Sequence, residues 1–212
     1  MIETFRPLWV GDLEDVLIED LSQLLSKLEE FGEKNDRTIT DRPRRMLNIT
    51  RDTGELLSVL VRTTLSQRVL EIGTSNGYST LWLADAATSI GGKVTTVELS
   101  EYKFRLAAHN FERTGLSSAI TQIRSDAAIL LADSSDESFD LIFLDSERSE
   151  YPGWWPDLKR VLCKGGLLVL DNAISHKEQM EQFVALVGAD KEFTTCLVPV
   201  GNGEYLATRS RS

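Results

Sequence analysis

The chain has few cysteines and no long apolar run. It contains 2 cysteines in 212 residues, Cys163 and Cys196, which are too few for a disulfide framework and lack metal-site spacing. We therefore expect two reduced thiols. No apolar stretch reaches membrane-spanning length, and no signal-peptide pattern is present. The sequence predicts a cytoplasmic protein.

Positive charge is also scarce. The chain has 23 Lys and Arg against 33 Asp and Glu, a formal net charge of -10, and its one basic cluster is short, at residues 42–45. This balance disfavours a nucleic-acid partner, because its phosphates must be neutralised, and it disfavours an anionic membrane surface. The composition, 42% hydrophobic and 26% charged, is typical of a globular domain. We expect one domain, 1–212, with an N-terminal helical cap region over 1–65 and a core over 66–212.

Short β-rich runs alternate with helical stretches in the core region. Such alternation predicts an α/β fold with a mainly parallel sheet and helices on both faces. Strands are predicted at 68–72, 93–98, 119–124, 139–144, 166–170, 193–198 and 204–208, and helices at 78–89, 101–114, 126–133, 154–163 and 176–187. Only five residues separate the last two runs. This spacing predicts a hairpin with an antiparallel last strand.

The cap region shows helical periodicity. An amphipathic helix is predicted over 12–31, with Gly32 ending it and a loop over 33–45. Its apolar face includes Leu13, Val16, Leu17, Leu21, Leu24, Leu25, Leu28 and Phe31. Packing against the core is favoured over a homodimer seam, so a homodimer stays open. A second helix is predicted from about residue 54 to 64.

The most informative stretch runs from Val69 to Ser79, where a predicted strand meets a helix through a glycine-containing loop. Glycines let a backbone approach a ligand closely at a helix N-terminus. The spacing is Glu-x-Gly-x-x-x-Gly, which differs from the Gly-x-Gly-x-x-Gly of dehydrogenases, and the loop lacks the lysine of a P-loop. Glu71 ends the strand and requires a partner there. Glu98 ends the next strand and suits ribose hydroxyls. The pattern predicts a nucleoside cofactor.

Oxygen-bearing side chains follow two later strands. Asp145 comes after the run 139–144, and Asp171 and Asn172 come after the run 166–170. Carboxyl ends of parallel strands share one edge of the sheet, so these side chains should converge near the cofactor. Two carboxylates and an amide suit Mg²⁺ or Ca²⁺ rather than zinc. Capping of turns is the alternative, since Asp and Asn are common there.

Together these residues resemble the cation-dependent, catechol-O-methyltransferase-like branch of the S-adenosyl-L-methionine (SAM) methyltransferases, including the caffeoyl-CoA type. The resemblance runs from about residue 48 to 209 and rests on the ordered motifs at 48–54, 71–79, 97–98, 143–145, 151, 164–166 and 171–172. It implies a Rossmann-like seven-stranded fold. It also implies methyl transfer from SAM to a hydroxyl of a small catechol-like or vicinal-diol acceptor.

The resemblance also implies site residues. The cofactor-binding residues would be Ile49, Glu71, Gly73, Ser75, Gly77, Ser79, Glu98, Asp126, Ala127 and Asp145. Mg²⁺ or another divalent cation would be held by Asp145, Asp171 and Asn172. Asp126 is equally explained as a helix N-cap.

One departure from the family pattern concerns the catalytic base. Relatives place a lysine three residues beyond the first metal-binding aspartate, where this chain has Arg148. Arginine stays protonated, so Arg148 could hold an anion but not accept the proton. His176 is the candidate base, and Asp145, Arg148 and His176 form the predicted catalytic set. A metal-independent O- or N-methyltransferase and a non-catalytic cofactor-binding module are the alternatives.

Overall fold

The apolar runs of the sequence form a seven-stranded sheet in the computed structural model, which describes residues 18–211. The strands are β1 Arg68–Ile72, β2 Lys93–Glu98, β3 Ile120–Arg124, β4 Phe139–Leu144, β5 Leu162–Leu170, β6 Phe193–Val198 and β7 Glu204–Arg209. Their order is β3-β2-β1-β4-β5-β7-β6. Only β7 runs antiparallel to its neighbours, β5 and β6. The predicted sheet and its antiparallel last strand are confirmed.

Two helical layers cover the sheet. The helices are α1 Leu21–Thr38, α2 Arg51–Thr64, α3 Tyr78–Thr88, α4 Glu101–Thr114, α5 Ala127–Asp133, α6 Tyr151–Val161 and α7 Lys177–Ala189. Successive strand residues point to opposite faces, so Val69 packs in one apolar core and Leu70 in the other. The first core contains residues of α1 to α4, and the second contains residues of α5 to α7. Both faces of the parallel strands are therefore buried, as α/β sheets require.

The N-terminal helix differs from its predicted bounds. Residues 12–17 of the predicted helix lie outside the described residues, and α1 continues past Gly32 to Thr38. A Cβ on Gly32 would lie 2.5 Å from Asn48 Nδ2, so this glycine permits close packing instead of ending the helix. The predicted loop over 33–45 is therefore wrong for 33–38 and for a short 3₁₀ turn at Arg42–Arg44. Phe31 is exposed and not on the buried face.

The predicted helix over 154–163 is shifted in the structure. Helix α6 begins at Tyr151, because Pro152 fits the first turn of a helix, where its missing N–H costs nothing. It ends at Val161, and Leu162 already belongs to β5. The same shift places Tyr151 in the second core. Across residues 18–211, none of the helices is long and apolar enough to cross a membrane.

The carboxylate of Glu71 is fully buried inside the protein. It accepts hydrogen bonds from Ser79 Oγ at 2.5 Å, from Thr96 Oγ1 at 2.6 Å and from Thr80 Oγ1. These donors join β1 to β2 and α3. Burial nevertheless raises the pKa of Glu71 from 4.5 to about 7, because three neutral hydroxyls replace hydration incompletely. The partners that the sequence required for Glu71 are therefore hydroxyl groups of the protein itself.

Glu71→Gln should flatten the dependence of stability on pH. Between about pH 4.5 and 7 the folded protein keeps the Glu71 proton that the unfolded chain releases, so the free energy of unfolding falls as pH rises through this window. The glutamine variant lacks this contribution, which is at most about 3 kcal/mol. Urea unfolding at pH 5 and pH 8 measures it. Glu181→Gln, at an exposed site on α7, is the control. An unchanged pH slope in Glu71→Gln would contradict the assignment.

Candidate active site

A cavity of about 980 Å³ opens where the carboxyl ends of β1, β2, β4 and β5 meet. This volume lies at the upper end of the roughly 300–1,000 Å³ typical of ligand pockets, so it leaves room for two small molecules. Ten of the predicted site residues line it: Gly73, Ser75, Glu98, Asp126, Ala127, Asp145, Arg148, Asp171, Asn172 and His176. The sheet edge therefore brings both predicted constellations to one cavity.

Backbone hydrogen bonds place the first residue after each strand. The ladder continues beyond the strand ends, with Gly73 N donating to Val97 O at 3.1 Å, Asp145 N to Ile72 O at 3.1 Å and Asp171 N to Leu144 O at 3.2 Å. A Cβ on Gly73 would lie 2.1 Å from the backbone oxygen of Asp145, and Gly73 has φ 111°. Only glycine fits this close approach. The cofactor loop and Asp145 are consequently in direct contact.

Glu98 lies at one half of the cavity, which we call the cofactor half. Its two carboxylate oxygens accept hydrogen bonds from Ser75 N at 2.9 Å and from Ser100 N at 2.8 Å. Each oxygen keeps a lone pair for a further donor. Ser75 has φ 48°, in the left-handed region, and its hydroxyl donates to Met46 O at 2.7 Å. These bonds hold a loop conformation that serine adopts rarely.

Asp126 borders the same half of the cavity. Its Oδ1 accepts a hydrogen bond from Ala128 N at 2.7 Å, so it caps helix α5. It also lines the cavity together with Ala127 and Ser125. The capping role is confirmed, while contact with the cofactor stays a prediction.

Asp145, Asp171 and Asn172 converge at the other half, which we call the acceptor half. Asn172 Nδ2 lies 3.3 Å from Asp145 Oδ1 and 2.7 Å from Asp171 Oδ2. Burial, with the charge of Asp171, raises the pKa of Asp145 well above its usual value. Burial likewise raises the pKa of Asp171. The acceptor half thus carries negative charge that protein groups offset incompletely.

A third carboxyl group lies next to Asp171. Glu204, on β7, is fully buried, and its Oε1 accepts a hydrogen bond from Thr53 Oγ1 of α2 at 2.9 Å. Among the described residues, its Oε2 has no hydrogen-bond donor. Burial and the adjacent charge of Asp171 raise the pKa of Glu204 to about 9. Glu204 was not predicted as a site residue, because a glutamate opening a strand gives no sign of burial.

The donor chemistry at the acceptor half fits a hard divalent cation. The amide of Asn172 lies within 3.3 Å of both carboxylates, and the carboxyl group of Glu204, with its partnerless Oε2, is next to Asp171. Asn172 presents Nδ2 to the carboxylates, while its Oδ1 accepts from Ser175 Oγ at 3.1 Å. Rotating the amide group of Asn172 by half a turn would direct its Oδ1 toward the two carboxylates, so that all three side chains would present oxygen atoms. Within residues 18–211, no group of three or more His, Cys, Asp or Glu side chains is arranged for a metal.

His176 closes the acceptor half at the start of α7. Its Nδ1 lies 2.9 Å from Ser175 Oγ, which links the ring to Asn172. Burial lowers the pKa of His176 below 6.5, and the guanidinium groups of Arg148 and Arg42 lower it further. The imidazole is therefore neutral at pH 7 and able to accept a proton.

Sequence comparison decides the family. The family model described as O-methyltransferase matches residues 19–210. The chain belongs to the O-methyltransferase family. The curated relatives include an inferred O-methyltransferase of Mycobacterium sp. (strain JLS), 30% identical over 174 residues, covering 76% of this chain and 79% of the relative.

Solved structures share the fold of this methyltransferase. The O-methyltransferase of Bacillus cereus, solved with S-adenosylhomocysteine (SAH), is 22% identical with a TM-score of 0.75, covering 93% of this chain and 94% of that one. The O-methyltransferase TomG of Streptomyces achromogenes, involved in tomaymycin synthesis and solved with SAM, is 24% identical with a TM-score of 0.72, covering 92% of both chains. The predicted fold and the predicted enzyme class are confirmed.

Four predicted cofactor residues of the methyltransferase lie behind the cavity wall: Ile49, Glu71, Gly77 and Ser79. Ile49 packs in the first core. A Cβ on Gly77 would lie 2.5 Å from Phe111 Cε1, so this glycine is required by packing of α4. Glu71 and Ser79 bond to each other. Any effect of these residues on a bound cofactor would therefore pass through the loop that they support.

Residues 45–47, which precede the motif at 48–54 and line the cavity, were not predicted as part of the site. Asp36, in the last turns of α1, accepts hydrogen bonds from Met46 N at 2.7 Å and from Leu47 N at 2.8 Å. It thereby holds residues 45–48, which we call the cap segment, across the cavity. The two bonds join residues ten and eleven positions apart. Neither helical nor strand periodicity reports such a contact.

The adjacent tryptophans of α6 have different roles. Trp154 lines the cavity. Trp155 packs against Phe183 and Phe193, with ring centroids 5.8 Å and 5.0 Å apart. One tryptophan therefore forms part of the cavity wall, and the other packs in the core.

Glu98→Ala should weaken binding of SAH. The variant removes a carboxylate whose remaining lone pairs face the cofactor half, and a hydrogen bond to a charged group contributes about 1.5–3 kcal/mol. We expect a loss of roughly 10- to 100-fold in affinity by calorimetry. Glu101→Ala is the control, since it removes the same charge from the exposed surface of α4. Equal affinities of the two variants would place the ribose elsewhere.

Proposed function

We propose that this methyltransferase transfers the methyl group of SAM to a hydroxyl of a small catechol-like or vicinal-diol acceptor, assisted by a divalent metal. The observation that carries the proposal is the continuity of one cavity from Glu98 to the acidic cluster at Asp145 and Asp171. A donor with a ribose and an acceptor with vicinal oxygens would then lie end to end. The SAM- and SAH-bound relatives support this use of the cofactor half.

The chemistry proposed for this cavity is an in-line displacement. The acceptor oxygen attacks the methyl carbon, the carbon–sulfur bond breaks, and its electron pair stays on sulfur. The sulfonium charge disappears in this step, while the acceptor hydroxyl gives up its proton to a base. Loops fixed by the sheet hold the two reactants close, and such positioning supplies much of the rate. Arg148 stays protonated and cannot be that base.

Asp145, Asp171 and Asn172 would hold the divalent cation. When bound there, the cation acidifies an acceptor hydroxyl and orients its oxygen. The excess negative charge and the raised pKa values of the two aspartates support this assignment. Glu204 and Thr53 would keep Asp171 oriented from the side opposite the cavity.

Asp171→Asn should abolish Mg²⁺-dependent turnover and leave SAH affinity within about twofold. The substitution keeps the shape of the side chain but removes an anionic ligand. Binding of Mn²⁺, followed by calorimetry, should weaken in parallel. Asp133→Asn, at an exposed site on α5, is the control for charge. Full Mg²⁺-dependent activity in Asp171→Asn would exclude this metal site.

A metal-independent O- or N-methyltransferase is the second candidate. Two observations favour it: Asn172 presents its amide nitrogen to both carboxylates, and the charge of Arg148 partly opposes the rise that burial causes in the pKa of each aspartate. In that case the aspartates would orient the acceptor themselves. Turnover that EDTA leaves unchanged would select this candidate.

His176→Gln should alter the pH dependence of turnover. The lowered pKa keeps His176 neutral down to below pH 6.5, so kcat/KM of the wild type should fall only as pH drops through that lower pKa. Without the base, the acidic limb should disappear and the rate should fall by about 10²-fold or more. His109→Gln, at an exposed site on α4, is the control. A variant with the wild-type profile would dismiss His176 as the base.

A further inference from the structure

Arg148 is buried without an ion pair. Its exposure is 7%, and in the described part of the chain no carboxylate oxygen lies within 4.0 Å of it and no acceptor bonds to it. Arg209, which is partly buried, donates instead to Lys159 O, Leu162 O and Glu192. Burying a guanidinium without acceptors is costly. None of the guanidinium nitrogens of Arg148 is fully enclosed by protein atoms, so the guanidinium is accessible from the cavity that Arg148 lines.

Arg148 lies between two cavities. It lines the acceptor half and also an adjoining cavity of about 360 Å³, whose wall includes Gln179 and Gln182 of α7. Arg42 lines both cavities as well, and its guanidinium is 3.9 Å from Glu147 at an exposed position. Two guanidinium groups therefore flank the passage that leads outward from Asp145 and Asp171. Glu147 also lines both cavities and lies near Arg42, so Arg148 is the guanidinium group at this place that has no carboxylate partner among the described residues.

We propose that the acceptor carries a carboxylate, which Arg148 binds while the acceptor hydroxyls face Asp145 and Asp171. This inference rests on the proposed function. The planar guanidinium matches a carboxylate with two parallel hydrogen bonds, and both partners are charged. Arg42 adds a second positive charge from the other side of the passage.

A different role for Arg148 would be to offset the charges of Asp145 and Asp171. Its charge does favour the ionised form of both aspartates. In that role Arg148 would help charged and neutral acceptors equally. A pair of acceptors that differ only in charge therefore separates the two roles.

Protocatechuate and its primary amide are such a pair, since both have the same ring, the same vicinal diol and a planar substituent of similar size. Calorimetric titration of each into the SAH-loaded protein with Mg²⁺ should show a preference for the acid of about tenfold or more. Turnover with SAM should show the same preference in kcat/KM. In Arg148→Met the ratio of the affinities for acid and amide should be close to one, and in Arg148→Lys part of the preference for the acid should remain.

The exposed arginines of the basic cluster provide matched variants. Arg42→Met should reduce the preference for the acid, whereas Arg44→Met should retain it, because Arg44 loses the same charge outside both cavities. If Arg148→Met does not fold, the affinities of the wild type, Arg42→Met and Arg44→Met for the acid and the amide still test the inference.

Three results would overturn the inference: equal affinity of the wild type for acid and amide, an undiminished preference in folded Arg148→Met, or no binding of either compound. The inference and the proposed function can fail independently, and different results reveal each failure. Equal methylation of both compounds would keep the function and remove the carboxylate site. Preferential binding of the acid without methylation would keep the site and remove the catechol-type reaction.

Discussion

Hydrogen bonds that continue the sheet beyond its strands fix the positions of the cofactor loop and of the two aspartates of the acceptor half. Gly73, Asp145 and Asp171 each donate a backbone N–H to the last or next-to-last residue of a neighbouring strand. Strand register therefore sets the relative positions of the cofactor loop and the acidic cluster. Because the two cores bury both faces of the sheet, that register cannot slip by one residue without exposing apolar side chains.

The charges of the cavity are divided between its walls. The strand ends of the sheet contribute carboxylates at Asp145 and Asp171, whereas the turn after β4 and the N-terminal region contribute guanidinium groups. Burial raises the pKa of each of these carboxyls, so their negative charge is held at a cost that folding must offset. Such an arrangement favours ligands that place positive charge near the carboxylates at the strand ends and negative charge near the guanidinium groups.

The sequence predicted the parts of the site that follow from strand ends. Asp145, Asp171, Asn172 and Glu98 lie at the cavity because apolar runs with clear ends place whatever follows them. It did not predict Asp36 or Glu204, whose positions depend on contacts between distant segments. Gly32 was misread for a related reason, since a glycine required by packing resembles one that ends a helix.

The bond between Thr53 and Glu204 joins residues 151 positions apart, and β7 lies between β5 and β6 in the sheet. Strand β6 therefore cannot pair with the sheet before β7 has been inserted. Gly201, in the turn between them, packs so tightly on Thr50 and Thr53 that an added Cβ would lie within 2.4 Å of both hydroxyls. Contacts of such high sequence separation form late in folding, because the entropy of closing the long loop is lost first. The residues of the cofactor half therefore leave the ribosome well before the last strand, which carries Glu204.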